Sequence, residues 1–144
     1  MTEYIWFLDP GLTTGWSRWK DATLVAWGTF QPDEVRRFFL NEVKPYLNIC
    51  NKNTFLYEKL TVRQLSFNPI GFEVVGALKY IAQIEGFDVK YQEPSQIQGV
   101  MKWPIYNFKG HKLSEHEKDS IAHGIVYYKK LRQDVYLPEK FIVI

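Results

Sequence analysis

The apolar positions of this chain fall into runs with two periods. Residues 5–8, Ile-Trp-Phe-Leu, form an unbroken apolar run that stops at Asp9, and Pro10-Gly11 then force a turn. A short apolar run bounded by Pro and Gly predicts a buried strand. A second strand is expected over residues 15–20 and a third over 24–30, with Asp21-Ala22 between them as the turn of an antiparallel hairpin. Residues 54–57, Thr-Phe-Leu-Tyr, repeat the first pattern and end in Glu58. Phe87, Val89 and Tyr91 alternate as a fifth strand.

Between these runs the period changes to 3.6. Val35, Phe38, Phe39 and Val43 recur at helical spacing, with Pro32, Asp33 and Glu34 suited to the first turn and Pro45 expected to kink or end the helix. Arg36, Arg37 and Lys44 then form a solvated face. Phe72, Val75, Leu78 and Ala82 mark a second amphipathic helix, which Gly86 terminates. Pro94 opens a short helical turn through Val100, and periodicity is lost over residues 101–113. Ser114 and Glu117 match a capping box, so a last helix starts there and runs to about Arg132. The apolar tail, residues 141–144, either pairs with a strand or contacts another subunit.

The resulting order, β-β-β-α-β-α-β-α, puts a hairpin first and helical crossovers after. Crossovers imply parallel pairing for the last two strands. The expectation is a five-stranded mixed sheet with helices on both faces. Trp16, Trp19 and Trp27 lie on the hairpin as sheet-packing residues.

Composition narrows the class. The 144 residues fit one domain of ordinary size, and 46% hydrophobic with 24% charged residues predicts a packed core. The formal net charge of +2 does not by itself argue for a nucleic-acid partner, so any basic surface must be local. A single cysteine, Cys50, excludes an internal disulfide and fits a reducing, cytoplasmic compartment. No signal peptide and no membrane-spanning run is expected.

Two strands of this plan end in a carboxylate. If they are neighbours, Asp9 and Glu58 emerge at one edge of the sheet. His116 and Asp119 are three residues apart in the first turns of the last helix and share a face. Such a set can hold two divalent cations, Mg²⁺ or Mn²⁺, about 3.5–4 Å apart, which activate water and stabilise the leaving oxygen of a phosphodiester. The plainer alternative for Asp9 is a turn cap. Glu117 is assigned to the cap and Glu115 to solvent. Asp119 enters a stretch with Ile121, Ala122 and Ile125, where an unpaired acid is costly. His116 is either a ligand or a surface residue. His123, one turn beyond Asp119, either hydrogen-bonds it or is an ordinary core or surface histidine.

The segments DPGLTTGWS, YEKL and HEKDSIAHG occur in this order, on the expected strand, strand and helix. Together with the element order they resemble the RuvC family of Holliday junction resolvases, in the ribonuclease H-like superfamily, and its small phage-type members most. The resemblance implies an acidic tetrad falling on Asp9, Glu58, Asp119 and, where many relatives have aspartate, His116. Histidine also occurs there within the family. It further implies cleavage of four-way DNA junctions in recombination and repair, with 5′-phosphate and 3′-hydroxyl ends. It implies a homodimer with the second helix at the interface, and host cytoplasm as the setting if the source is viral.

Lys59, Arg63, Lys102, Lys109, Lys112 and Lys118 flank the site in sequence, as phosphate contacts or as solubilising lysines. Phe67 is a candidate wedge between bases, or a core residue. No small-molecule cofactor and no membrane partner is expected. The rival readings are the same chemistry on flaps, forks or RNA–DNA hybrids, and a non-catalytic module that binds branched DNA. An actin-like nucleotide-binding domain would need a second large lobe, for which 144 residues leave no room.

Overall fold

Three consecutive strands open the chain as an antiparallel meander: β1 (Glu3–Asp9), β2 (Thr14–Lys20) and β3 (Thr23–Phe30). The structure is a computed structural model that describes residues 3–47, 52–58, 69–92, 108–109, 113–138 and 142–143. β4 (Lys52–Glu58) pairs parallel to β1, and β5 (Asp88–Gln92) parallel to β4. The sheet order is β3-β2-β1-β4-β5, so the expected five-stranded mixed sheet is present. At the hairpin turn Asp21 and Ala22 take φ of 48° and 67°, the left-handed pair that matches the twist of the flanking strands. The Asp21 carboxylate accepts a hydrogen bond from the Glu3 N–H at 3.0 Å, which fixes that turn against β1.

The unbroken apolar run of β1 has a direct cause. Tyr4, Trp6 and Leu8 enter one core, and Ile5 and Phe7 enter the other. β4 divides the same way, with Phe55 and Tyr57 on one side and Leu56 on the other. A strand covered on both faces needs apolar side chains at every position.

The first core lies under two helical segments. After β3 the chain makes a 3₁₀ turn (Pro32–Glu34), then α1 (Val35–Phe38), a π-helical stretch (Phe39–Val43) and α2 (Lys44–Leu47). Val35, Phe38, Phe39 and Val43 are buried and Arg36, Arg37 and Lys44 exposed, as the spacing predicts. Pro45 does not end the helix. The wider π turn precedes it, with the Lys44 N–H on the Phe39 carbonyl, and the chain continues through Pro45 to Leu47.

α3 (Ile70–Glu85) buries Gly71, Val74, Val75, Leu78 and Ala82. Phe72, expected on that face, is 40% exposed. It is three residues from Val75 but two from Val74 and six from Leu78, so it falls off the buried stripe. Gly86 closes the helix at φ 77°, its N–H on the Ala82 carbonyl at 2.8 Å. β5 is an edge strand. Phe87 just before it is buried and Val89 half-buried, but Tyr91 is exposed and Gln92 buried, so the expected alternation is not kept to the end.

The second core lies under one helix, α4 (Glu115–Lys130), whose Ile121, Ile125 and Tyr128 pack on Ile5, Phe7, Trp19, Leu24 and Leu56. Its capping box is formed: Ser114 Oγ accepts from the Glu117 N–H at 3.2 Å, and Glu117 Oε1 accepts from the Ser114 N–H at 3.1 Å. After α4 the chain returns to the hairpin, where Tyr136 bridges Thr23 in parallel. The apolar tail pairs as β7 (Ile142–Val143), antiparallel to β6 (Phe108–Lys109) inside the aperiodic segment. Cys50 and residues 94–100 lie outside the described residues.

Candidate metal centre at the strand ends

Strand periodicity decides which way the two terminal acids face. In β1 the odd positions Ile5 and Phe7 face α4, and Asp9 is the next of that set. In β4 Leu56 faces α4, and Glu58 follows two residues on. β1 and β4 run parallel with Leu8 opposite Tyr57, so both carboxylates leave the same end of the sheet on neighbouring strands. Both residues are half-buried.

α4 must come close to the sheet for its first turn to reach them, and small residues make that possible. Gly15 is the β2 partner of Asp9, and a Cβ there would collide with the His116 backbone. Gly124 in turn lies directly on the indole of Trp19 and has no room for a side chain. Hydrogen bonds fix the same contact: Ser17 Oγ donates to the Ser120 carbonyl at 2.9 Å, and Trp19 Nε1 donates to Ser17 Oγ at 3.0 Å. Ser120 Oγ donates to the Glu117 carbonyl at 2.8 Å.

The four expected residues are therefore brought to one place. His116 Nδ1 lies 3.6 Å from Asp9 Oδ2, with the His116 side chain at the exposed rim. The Asp119 carboxylate is close enough to Asp9 for the two to interact electrostatically. Burial, followed by the charges of Asp119 and Glu58, pushes the Asp9 carboxyl up to about 6, against an opposing pull from His116. Burial and then the charge of Asp119 raise Glu58. Burial and then the charge of Glu115 raise Asp119, while His116, the neighbouring Asp9 side chain and Lys118 pull it back. Three acids displaced in the same direction mark a half-buried pocket with more negative charge than its own cations neutralise.

His123 completes the geometry in a way the sequence did not indicate. It is fully buried, which lowers its imidazole to about 4, so it is neutral at neutral pH. Its Nε2 faces Glu58 Oε2 at 3.7 Å, where the chain order had suggested Asp119 as its neighbour. Among the described residues, Asp9, Glu58 and His123 offer three ligand atoms that all lie within 4.8 Å of one another. The signal in the sequence was a polar ring amid Ile121, Ala122 and Ile125, but nothing local could say which strand it would meet. Carboxylates with raised pKa and a buried imidazole suit a divalent cation, so the donor set fits the expected metal.

Of the candidate nucleic-acid contacts, Lys118 is in the first turn of α4 and pairs with Glu115 at 3.6 Å. Lys109 is in β6. Lys59, Arg63, Phe67, Lys102 and Lys112 lie outside the described residues.

No protein-family model and no curated protein sequence matches the chain. Among solved structures it is similar to RuvC of Thermus thermophilus, at TM-score 0.59 and 14% identity over 90% of this chain and 97% of that one. It is also similar to T. thermophilus RuvC in complex with a Holliday junction substrate, at TM-score 0.67 and 16% identity, covering 90% of this chain and 95% of that one. The chain has a RuvC-like, ribonuclease H-like fold.

Proposed function

We propose that the chain is a divalent-metal-dependent, structure-selective endodeoxyribonuclease that cuts four-way DNA junctions. The observation that carries this reading is the meeting of Asp9, Glu58 and Asp119, from two strand ends and one helix start, in a pocket that raises all three carboxyls. A fold shared with a RuvC bound to a Holliday junction supports the choice of substrate.

Asp9 and Glu58 act as oxygen ligands held by the rigid sheet, and Asp119 closes the set from α4. A Mg²⁺ or Mn²⁺ pair bound there would supply Lewis acidity and a water activated for attack on phosphorus. His116, at the rim, serves as fourth ligand or carries a proton between the site and solvent. An imidazole in the set favours Mn²⁺ over Mg²⁺. The products are 5′-phosphate and 3′-hydroxyl ends. Lys59, Arg63, Lys102, Lys109, Lys112 and Lys118 hold phosphates, and Phe67 wedges at the branch point. Two copies of the chain present two such sites to two strands. α3 supplies the contact, and its Tyr80 and Ile84 are exposed.

The test uses labelled four-way, forked, flapped, hybrid and linear substrates with Mg²⁺, Mn²⁺ or EDTA. Paired symmetric nicks in the four-way substrate, absent in EDTA, are the expected result. Preferential cutting of flaps, forks or hybrids reassigns the substrate. Tight binding without cutting in either metal replaces the enzyme by a branched-DNA-binding module.

A further inference from the structure

We infer that His123 is itself a metal ligand, holding a cation jointly with Asp9 and Glu58 through Nε2. The inference rests on the metal-centre reading above and adds to it a ligand from the third turn of α4.

His123 is fully buried, and among the described residues neither ring nitrogen has a hydrogen-bond partner. A buried polar atom left in this state loses its hydration with nothing in return. The ring is aimed at an acidic pocket rather than at a partner that would satisfy it. The 3.7 Å between Nε2 and Glu58 Oε2 is too long for a hydrogen bond. It suits two ligands of one ion, since bonds of roughly 2.0–2.2 Å leave neighbouring ligand atoms about 3–4 Å apart. Asp9 falls within the same small envelope. A neutral imidazole has one ring nitrogen with a lone pair to donate. His123 thus gives the pocket a nitrogen at its floor, while His116 offers one at its exposed rim.

The chain has three histidines, His111, His116 and His123. The full chain carrying His111→Gln and His116→Gln therefore retains His123 as its sole imidazole. Loaded with Mn²⁺, this double variant is expected to keep an imidazole-type nitrogen coupling in pulsed electron paramagnetic resonance. Adding His123→Gln is expected to remove the coupling and weaken Mn²⁺ binding, measured by calorimetry, roughly tenfold. Mg²⁺ affinity should change far less, because imidazole contributes little to a hard cation. Absence of the coupling in the double variant overturns the inference, and that result stands even if the triple variant does not fold. Asp9→Asn separates the two levels. Mn²⁺ affinity unchanged by Asp9→Asn removes the metal centre altogether. Loss of binding in Asp9→Asn, with no coupling in the double variant, removes His123 alone.

Discussion

One face of the sheet is closed by aromatic bulk and the other by close approach. Under α1 and α3, Trp16, Phe30, Phe38, Phe55 and Phe87 fill the space ring against ring, with Phe30 and Phe38 stacked at 4.4 Å. The polar seal there is an ion pair: Arg18 Nη1 donates to the Glu42 carboxylate at 3.0 Å and to its carbonyl at 3.1 Å, and the guanidinium lies 3.8 Å from the centre of the Tyr46 ring, although its Nε has no hydrogen-bond partner among the described residues. Under α4, Gly15, Ser17, Ser120 and Gly124 add a close approach of helix backbone to sheet beside the apolar packing of Phe7, Trp19 and Tyr128. On that side lie the buried His123, without a hydrogen-bond partner among the described residues, and half-buried acids displaced from their usual range. The contrast teaches a division of labour. Dispersion and burial on the aromatic face hold the sheet rigid, and that rigidity lets the α4 face keep an uncompensated polar pocket.

The largest effect that would break this contrast is expected at Asp9. Asp9→Asn should lower cleavage by about a thousandfold or more, ~4 kcal/mol of barrier, with the metal-free fold intact by circular dichroism. A variant that cuts normally would show that the polar pocket is incidental. Next comes Phe38→Ala on the aromatic face, which should destabilise the chain by about 3–5 kcal/mol in urea titration. Cleavage per folded molecule should change little, and a large loss there would merge the two faces into one functional unit.

Glycine substitutions sharpen the comparison further. Gly15→Ala pushes α4 off Asp9 and should cost about 1–3 kcal/mol of stability and roughly a hundredfold in cleavage. Gly28→Ala, on the aromatic face, brings a Cβ to 3.0 Å from Trp16 Nε1, which requires only a small shift of the ring, and cleavage should be retained. Equal activity losses in the two variants would deny α4 placement its special role.

The smallest expected effect is a pH dependence of metal-free stability. Asp9 titrates near 6 when folded and near 3.8 otherwise, so between these values the folded state binds more protons. Its contribution to stability therefore falls as pH rises from about 4 to 6, and the raised Glu58 and Asp119 act with the same sign. His123 opposes them: lowered to about 4 from 6.5, it contributes stability that is lost as pH falls through that window. Subtraction isolates the Asp9 part. Asp9→Asn should match the parent in melting temperature at pH 4 and exceed it by an amount worth ~2 kcal/mol at pH 7. Mn²⁺ should erase that advantage, and a difference independent of pH would refute the assignment.

Much of this molecule was determined by local pattern. The doubly buried strands, the hairpin at Asp21-Ala22, the cap at Ser114 and Glu117 and the stop at Gly86 follow from neighbours a few residues apart, because hydrogen bonds and rotamer preferences act at that range. Asp9, Glu58 and Asp119 were legible for a related reason, since each ends or begins an element and the element order implies one end of one sheet. Tertiary structure decided what depends on contacts between distant segments. Pro45 stays helical because a π turn shifts the hydrogen-bond register ahead of it, and Phe72 is exposed because the packed stripe, not its hydrophobicity, sets the buried face. Gly15 matters because of a helix a hundred residues later. His123 faces Glu58 rather than Asp119 because the rotation of α4 on the sheet is set by Trp19, Ser17 and Gly124 acting together, a packing solution that no single stretch of sequence contains.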